Sequence, residues 1–254
     1  MGKDRMNLFT MSSMKTLVRE WEARITPLWR TRAIEHTWVR LTRSLWWDET
    51  TPEFMRQEIE PYWLALPKRE YGVVWDLGAA SGMFTLSASL RMPLAQVTAF
   101  EPSKRQRILL ERNVRRNGLS GRVGIEPYAA WNRAENLVFR THGAIGSLKE
   151  TGEHLGTLPF EETVSALPLD EWNERAGRRP VDLVKMDIEG AEIEALEGMR
   201  ETLARFRPAL LVQAYHLRGG TRTYECCESY LRSLGYRCRE VVPGKGLMYA
   251  ESDH

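Results

Sequence analysis

From Val73 onward, short apolar runs alternate with segments of helical spacing, and that alternation permits few folds. A strand, a helix and a second strand close as a parallel crossover, so a chain of such units builds a parallel sheet covered on both faces. The pattern predicts strands at 73–77, 96–100, 122–126, 181–186 and 208–214, with a final pair near 236–241 and 246–250. Helices fit at 82–91, 103–117, 190–204 and 222–234. Ser103 with Gln106 has the form of a capping box, and Gly118 after Asn117 supplies a C-terminal stop for the same helix. Residues 132–172 are less regular and read as an inserted hairpin and loop.

The chain before this pattern has another character. Residues 1–47 hold nine Lys and Arg against four Asp and Glu, and six of the nine tryptophans lie within the first 63 residues. Met14, Leu17, Val18, Trp21 and Ile25 fall at helical spacing; Thr26-Pro27 then offers an N-cap and a first-turn proline for a second helix carrying Ile34, Trp38, Leu41 and Leu45. We therefore expect residues 1–66 to form a helical, Trp-rich extension, packed on a main domain at 67–254 or serving as a lid. The expected fold class is α/β: a doubly wound, Rossmann-like, mostly parallel seven-stranded sheet with that extension before it.

Over all 254 residues, 36 Lys plus Arg against 34 Asp plus Glu gives a formal net charge of +2, which argues against a dedicated nucleic-acid binder. Three cysteines at 226, 227 and 238 lack metal-ligand spacing and predict reduced thiols in the cytoplasm. The first ten residues contain no apolar core of signal-peptide length, and no stretch reads as a membrane span. The sequence leaves the oligomeric state open.

The chemistry begins at VVWDLGAASGMF, where Asp76 ends a strand and Gly78, Ala79, Ser81 and Gly82 form a strand-to-helix turn. A dinucleotide site has G-x-G-x-x-G around a pyrophosphate, whereas here a carboxylate lies just before the first glycine and Ala80 replaces the middle one. That anion disfavours phosphates and suits a cationic ligand such as S-adenosylmethionine, which carries an ammonium and a sulfonium. The second strand ends in FEP, placing Glu101 and Pro102 there; Glu101 lies 19 residues after Gly82, near the offset at which an acid accepts bonds from ribose hydroxyls. In PYAAW, Ala129 is positioned to border the adenine or to pack a strand end.

The most specific segment is VDLVKMDIEGAEIEALEGM at 181–199, an apolar strand that delivers Lys185, Asp187 and Glu189 to the C-terminal edge of the sheet. Glu189 and Glu192 are alternatively helix N-terminal charges, and Lys185 is alternatively a buried partner for Asp187 or Glu189. In the helix that follows, Ile193, Leu196, Met199 and Leu203 form an inward stripe.

These segments resemble the FkbM-type methyltransferases, a class I S-adenosylmethionine-dependent family, from about residue 73 to 240. The resemblance is carried by WDLGAASG, FEPS, ERNVRRNGL, AAW, LPLDEW, KMDIEGAE with ALEGM, and a fifth strand ending in Tyr215-His216. It implies cofactor roles for Asp76, Gly78, Glu101 and Asp187, with Ala129 beside the adenine. Ala80-Ser81 depart from the family's usual Asn and apolar residue, and the first 65 residues match no family pattern.

The implied reaction is transfer of a methyl group to a nucleophile, in which positioning supplies much of the acceleration. A hydroxyl acceptor also needs a base, for which His216 is the candidate and Asp187 the neighbour on the same sheet edge. Lys185, Glu189 and His216 are the candidate acceptor contacts. A metal held by Asp187, Glu189 and His216 lacks a clear ligand pattern, and none is expected. The leading expectation is O-methylation of a sugar, a polyketide or another secondary metabolite. N-methylation of a peptide or amide is the alternative within the fold, and a non-catalytic scaffold is the alternative outside it.

Overall fold

The computed structural model describes residues 52–142, 145–148 and 160–252. The two helices expected within 1–47 lie outside the described residues. The described chain begins with α1 (Pro52–Ala65) and continues through β1 (Val73–Leu77), α2 (Met83–Arg91), β2 (Gln96–Phe100), α3 (Lys104–Arg116) and β3 (Val123–Glu126). Next come β4 (Tyr128–Ala130), β5 (Glu135–His142), β6 (Ile145–Leu148), β7 (Phe160–Leu167), α4 (Leu169–Arg175) and β8 (Leu183–Met186). The last part comprises α5 (Glu192–Glu197), α6 (Arg200–Phe206), β9 (Ala209–Gln213), a short hairpin of β10 (Leu217–Arg218) and β11 (Thr221–Arg222), α7 (Thr223–Ser233), β12 (Tyr236–Glu240) and β13 (Leu247–Ser252). Among the described residues no helix is long and apolar enough to cross a membrane.

The main sheet has seven strands in the order β12-β13-β9-β8-β1-β2-β3. All pairings are parallel except those of β13, which runs antiparallel to both neighbours. The seven-stranded, mostly parallel sheet is thus as the sequence predicts. Both β2 and β8 flank β1, so successive crossovers leave to opposite sides there and open the crevice in which such folds bind ligands. Val74, Leu77, Leu183, Val184, Met186, Leu210, Leu211 and Val212 are buried, as strands covered on both faces require.

Three expectations are corrected. Residues 132–172 hold more than a hairpin and loop: β5, β6 and β7 lie there and join the preceding β4 in a second, four-stranded sheet of order β4-β7-β5-β6, and α4 begins within the same region. Pro127, between β3 and β4, lacks the N–H needed to continue the first ladder, and the chain passes there into the second sheet. The helix expected over 190–204 is two helices, α5 and α6. The Asp170 carboxylate of α4 accepts the N–H groups of Glu201 and Thr202, both at 2.8 Å, and so caps a fresh helix start. At the break, Gly198 lies against the next layer so closely that a Cβ would fall 1.9 Å from the Trp131 carbonyl oxygen.

The capping box is the third. Ser103 is the N-cap of α3 by position but makes no side-chain cap bond; its N–H goes to Glu101 Oε1 at 2.8 Å. The C-terminal stop forms as expected, with Gly118 at φ +67° and the Leu119 N–H returning to the Val114 carbonyl.

Candidate active site

The C-terminal ends of β1, β2 and β8 and the segment after β9 bring the candidate residues to one edge of the sheet. Parallel register sets Asp76 of β1 opposite Lys185 of β8, so the two side chains leave the same face. Lys185 Nζ lies 3.1 Å from Asp76 Oδ1 and also donates to the Gly78 carbonyl at 3.1 Å. Thr85 of α2 donates to Asp76 Oδ2 at 2.6 Å. Asp76 is wholly buried and Lys185 nearly so. Burial works against the Lys185 charge, but Asp76 and then Asp187 outweigh it and hold the ammonium above its ordinary pKa. Lys185 thus pairs with Asp76 rather than with Asp187 or Glu189, and both partners lie within the sheet.

The glycine turn is welded to the end of β8. Gly78 adopts φ +72°, and a Cβ there would stand 2.1 Å from the Asp187 carbonyl oxygen, which no side chain tolerates. The N–H groups of Gly78 and Ala79 both donate to the Phe100 carbonyl at the end of β2. Ser81 is buried and its carbonyl is held by Asn113 of α3 at 2.9 Å, while the Gly82 N–H closes the turn on Ala79. Ala80 sits at φ +47°, the left-handed region that an alanine side chain disfavours and an asparagine tolerates. Ala80→Asn should therefore raise stability by about 0.5–1 kcal/mol, seen as a higher urea midpoint at unchanged slope; an unchanged or lower midpoint would show that the turn carries no such strain.

Glu101 follows β2 and is 4% exposed. Its Oε2 accepts the Ala80 N–H at 2.7 Å and its Oε1 the Ser103 N–H, which among the described residues leaves each oxygen a further lone pair. Burial pushes its pKa up to about 7, against the opposing pull of those two N–H groups and of Lys185. The Pro102 carbonyl is taken by Arg107. Ala129 is buried in β4 beside Trp131, Val164 and Ala191.

Asp187 Oδ2 accepts the Tyr62 hydroxyl at 3.0 Å, whereas Oδ1 is buried and has no hydrogen-bond partner among the described residues. Burial raises the Asp187 pKa, with Lys185 opposing. Tyr62 belongs to α1 and is a site residue that sequence reasoning missed: it lies 125 positions from Asp187, and no local spacing ties the two. It packs edge-on to Phe84 of α2, on which Trp63 stacks. Glu189 Oε2 lies 2.9 Å from His216 Nε2 and accepts the Tyr215 hydroxyl at 3.1 Å. Glu192, fully buried as the first residue of α5, does not cap that helix but accepts the preceding Gly190 N–H at 2.9 Å; burial lifts its pKa to about 7. Among the described residues no three His, Cys, Asp or Glu side chains are grouped to hold a metal ion.

Five carboxyls, those of Asp76, Glu101, Asp187, Glu189 and Glu192, thus gather here with one ammonium and one imidazole. Such an edge favours a cationic ligand over a phosphate.

Residues 76–238 match the family described as the methyltransferase FkbM domain. Over 149 residues the chain is 26% identical to the 2-O-methyltransferase NoeI of Sinorhizobium fredii (strain NBRC 101917 / NGR234), a match covering 53% of this chain and 60% of that protein. Among solved structures it is similar in fold to the methyltransferase FkbM from Methylobacillus flagellatus KT, with a TM-score of 0.53 and 19% identity over 91% of this chain and 60% of that one. The chain therefore spans about three fifths of the length of either relative.

Proposed function

The chain belongs to the FkbM methyltransferase family, and from that premise we propose that it moves a methyl group from S-adenosylmethionine to a hydroxyl of a small molecule, a sugar or a related secondary metabolite. The observation that carries this reading is the acidic sheet edge with, among the described residues, acceptors to spare: a further lone pair on each Glu101 oxygen, and a buried, unpartnered Asp187 Oδ1. These residues fit the cofactor. Glu101 would hold the ribose hydroxyls, the Gly78–Gly82 turn and Asp187 would face the cationic amino-acid end, and Ala129 would border the adenine. When bound, S-adenosylmethionine supplies a methyl group activated by a positively charged sulfur.

The chain's own residues would hold the acceptor, exclude water and remove its proton, for which His216 is the base. The similarity to a 2-O-methyltransferase favours oxygen as the acceptor atom. Residues 1–66, which precede the family match, would be the source of acceptor specificity, and 67–254 would form the methyltransferase domain. The unpaired Cys226, Cys227 and Cys238 accord with a reducing, cytoplasmic setting.

Glu101 provides the test. Glu101→Ala should weaken S-adenosylmethionine binding by about 1.5–3 kcal/mol, or from ten- to over a hundredfold, in calorimetry. Because burial lifts the Glu101 pKa to about 7 and bonds from the ribose favour the ionised form, wild-type affinity should also rise from pH 6 to pH 8. That rise should flatten in Glu101→Gln. Unchanged affinity in the alanine variant would remove Glu101 from the site, and tight NAD binding by the wild type would overturn the cofactor assignment.

A further inference from the structure

We propose that Glu189 is a positioning residue that locks His216 in one tautomer and makes Nδ1, not Nε2, the atom that takes the acceptor's proton. The base role rests on the methyltransferase reading above; the tautomer rests on geometry alone. His216 Nε2 lies 2.9 Å from Glu189 Oε2, and a carboxylate only accepts, so the ring hydrogen resides on Nε2. In the neutral ring Nδ1 then carries the free electron pair. That nitrogen is buried and has no hydrogen-bond partner among the described residues.

Two further features hold the ring in this setting. The Tyr215 hydroxyl donates to the same Glu189 oxygen, and its ring stacks on the imidazole with centroids 4.1 Å apart, which limits rotation about the His216 side chain. Burial raises the Tyr215 pKa far enough that its hydroxyl stays a donor at neutral pH. The backbone is bent to the purpose as well: Glu189 has φ +56°, a left-handed conformation rare for a side chain of its size, and Gly190 follows at φ +100°. Strain of this kind persists where surrounding contacts enforce it, and such sites are often functional. Glu192 meanwhile accepts the Gly190 N–H just ahead of α5. Of these two acids, Glu189 is the one that hydrogen-bonds the histidine.

In the proposed step the acceptor O–H bond breaks, its proton forms a bond to Nδ1, and the electron pair stays on the oxygen that is methylated. The resulting imidazolium is faced by Glu189 from the turn after β8, with Glu192 of α5 and Asp187 at the β8 end as further negative charges. Burial disfavours that cation, but the Glu189 bond and these three carboxyls together raise the His216 pKa. The neutral, proton-accepting ring therefore gains population as pH rises through that raised value.

The test needs neither methyl donor nor acceptor. The chain carries five histidines, and long-range proton–nitrogen NMR of protein labelled with nitrogen-15 histidine reads the tautomer of each, with His216→Gln identifying the relevant signals. The expected wild-type spectrum at high pH shows His216 with the hydrogen on Nε2 and a bare Nδ1. In Glu189→Gln, His216 should titrate at lower pH and show mixed tautomers, and Glu189→Asp should restore the wild-type behaviour at least in part. A wild-type ring protonated on Nδ1, or a Glu189→Gln titration superimposable on the wild type, would overturn the assignment. Should Glu189→Gln not fold, the wild-type tautomer decides. Calorimetry showing that the wild type binds no S-adenosylmethionine would instead sink the methyltransferase reading, and the base role with it, while leaving the tautomer standing.

Discussion

Lys185→Met should destabilise the fold by about 3–5 kcal/mol in urea unfolding, because it removes the cation from a carboxylate that has no route to water. Asp76 is wholly buried, and among the described residues its charge is compensated by the 3.1 Å ion pair with Lys185, while the Thr85 hydroxyl is a neutral donor. The double variant Asp76→Asn with Lys185→Met should regain most of the stability, as removing both partners leaves no bare charge. A single variant within about 1 kcal/mol of wild type would mean that Asp76 finds solvent when its partner is gone.

His216→Ala should lower methyl transfer on the order of 10² to 10⁴ while leaving S-adenosylmethionine affinity nearly intact. The measurement is transfer of a labelled methyl group to the acceptor, together with cofactor titration. The wild-type rate should climb with pH through the raised His216 pKa, and that limb should vanish in the variant. Full-rate transfer by His216→Ala would take the base role from this residue and favour an acceptor nitrogen, which can attack without prior loss of a proton.

The strands and most helices were legible in the sequence because their apolar spacing is a local property: β1 and β2 fall at the expected residues, and Gly118 ends α3 as its position predicts. The split of α5 from α6 was not legible. It depends on Asp170, some 30 positions earlier in the chain, reaching the N–H groups of Glu201 and Thr202. The partner of Lys185 was hidden for the same reason. Sequence proximity offered Asp187 and Glu189, but register across two parallel strands selects Asp76, 109 positions away. Tyr62 shows the limit most clearly, since neither spacing nor family motif marks a phenol that bonds to a carboxylate on the far side of the sequence. The Glu189–Glu192 ambiguity needed coordinates as well, because both acids stand at a helix start and only geometry sends one to His216.

Helix α1 also sets where this chain can be recombined with its relatives. Tyr62 is tied to Asp187, Trp63 lies on Phe84 and donates to Ser87 at 2.9 Å, and Arg239 of β12 grips the Ala65 carbonyl at 2.6 Å. A crossover in the 66–72 connection, where the sequence motifs suggest a seam, would import a foreign helix to cover this edge and leave both Asp187 oxygens bare. A breakpoint upstream of Pro52 keeps these contacts within one parent, so that an exchange of leading segments leaves the carboxylate beneath undisturbed.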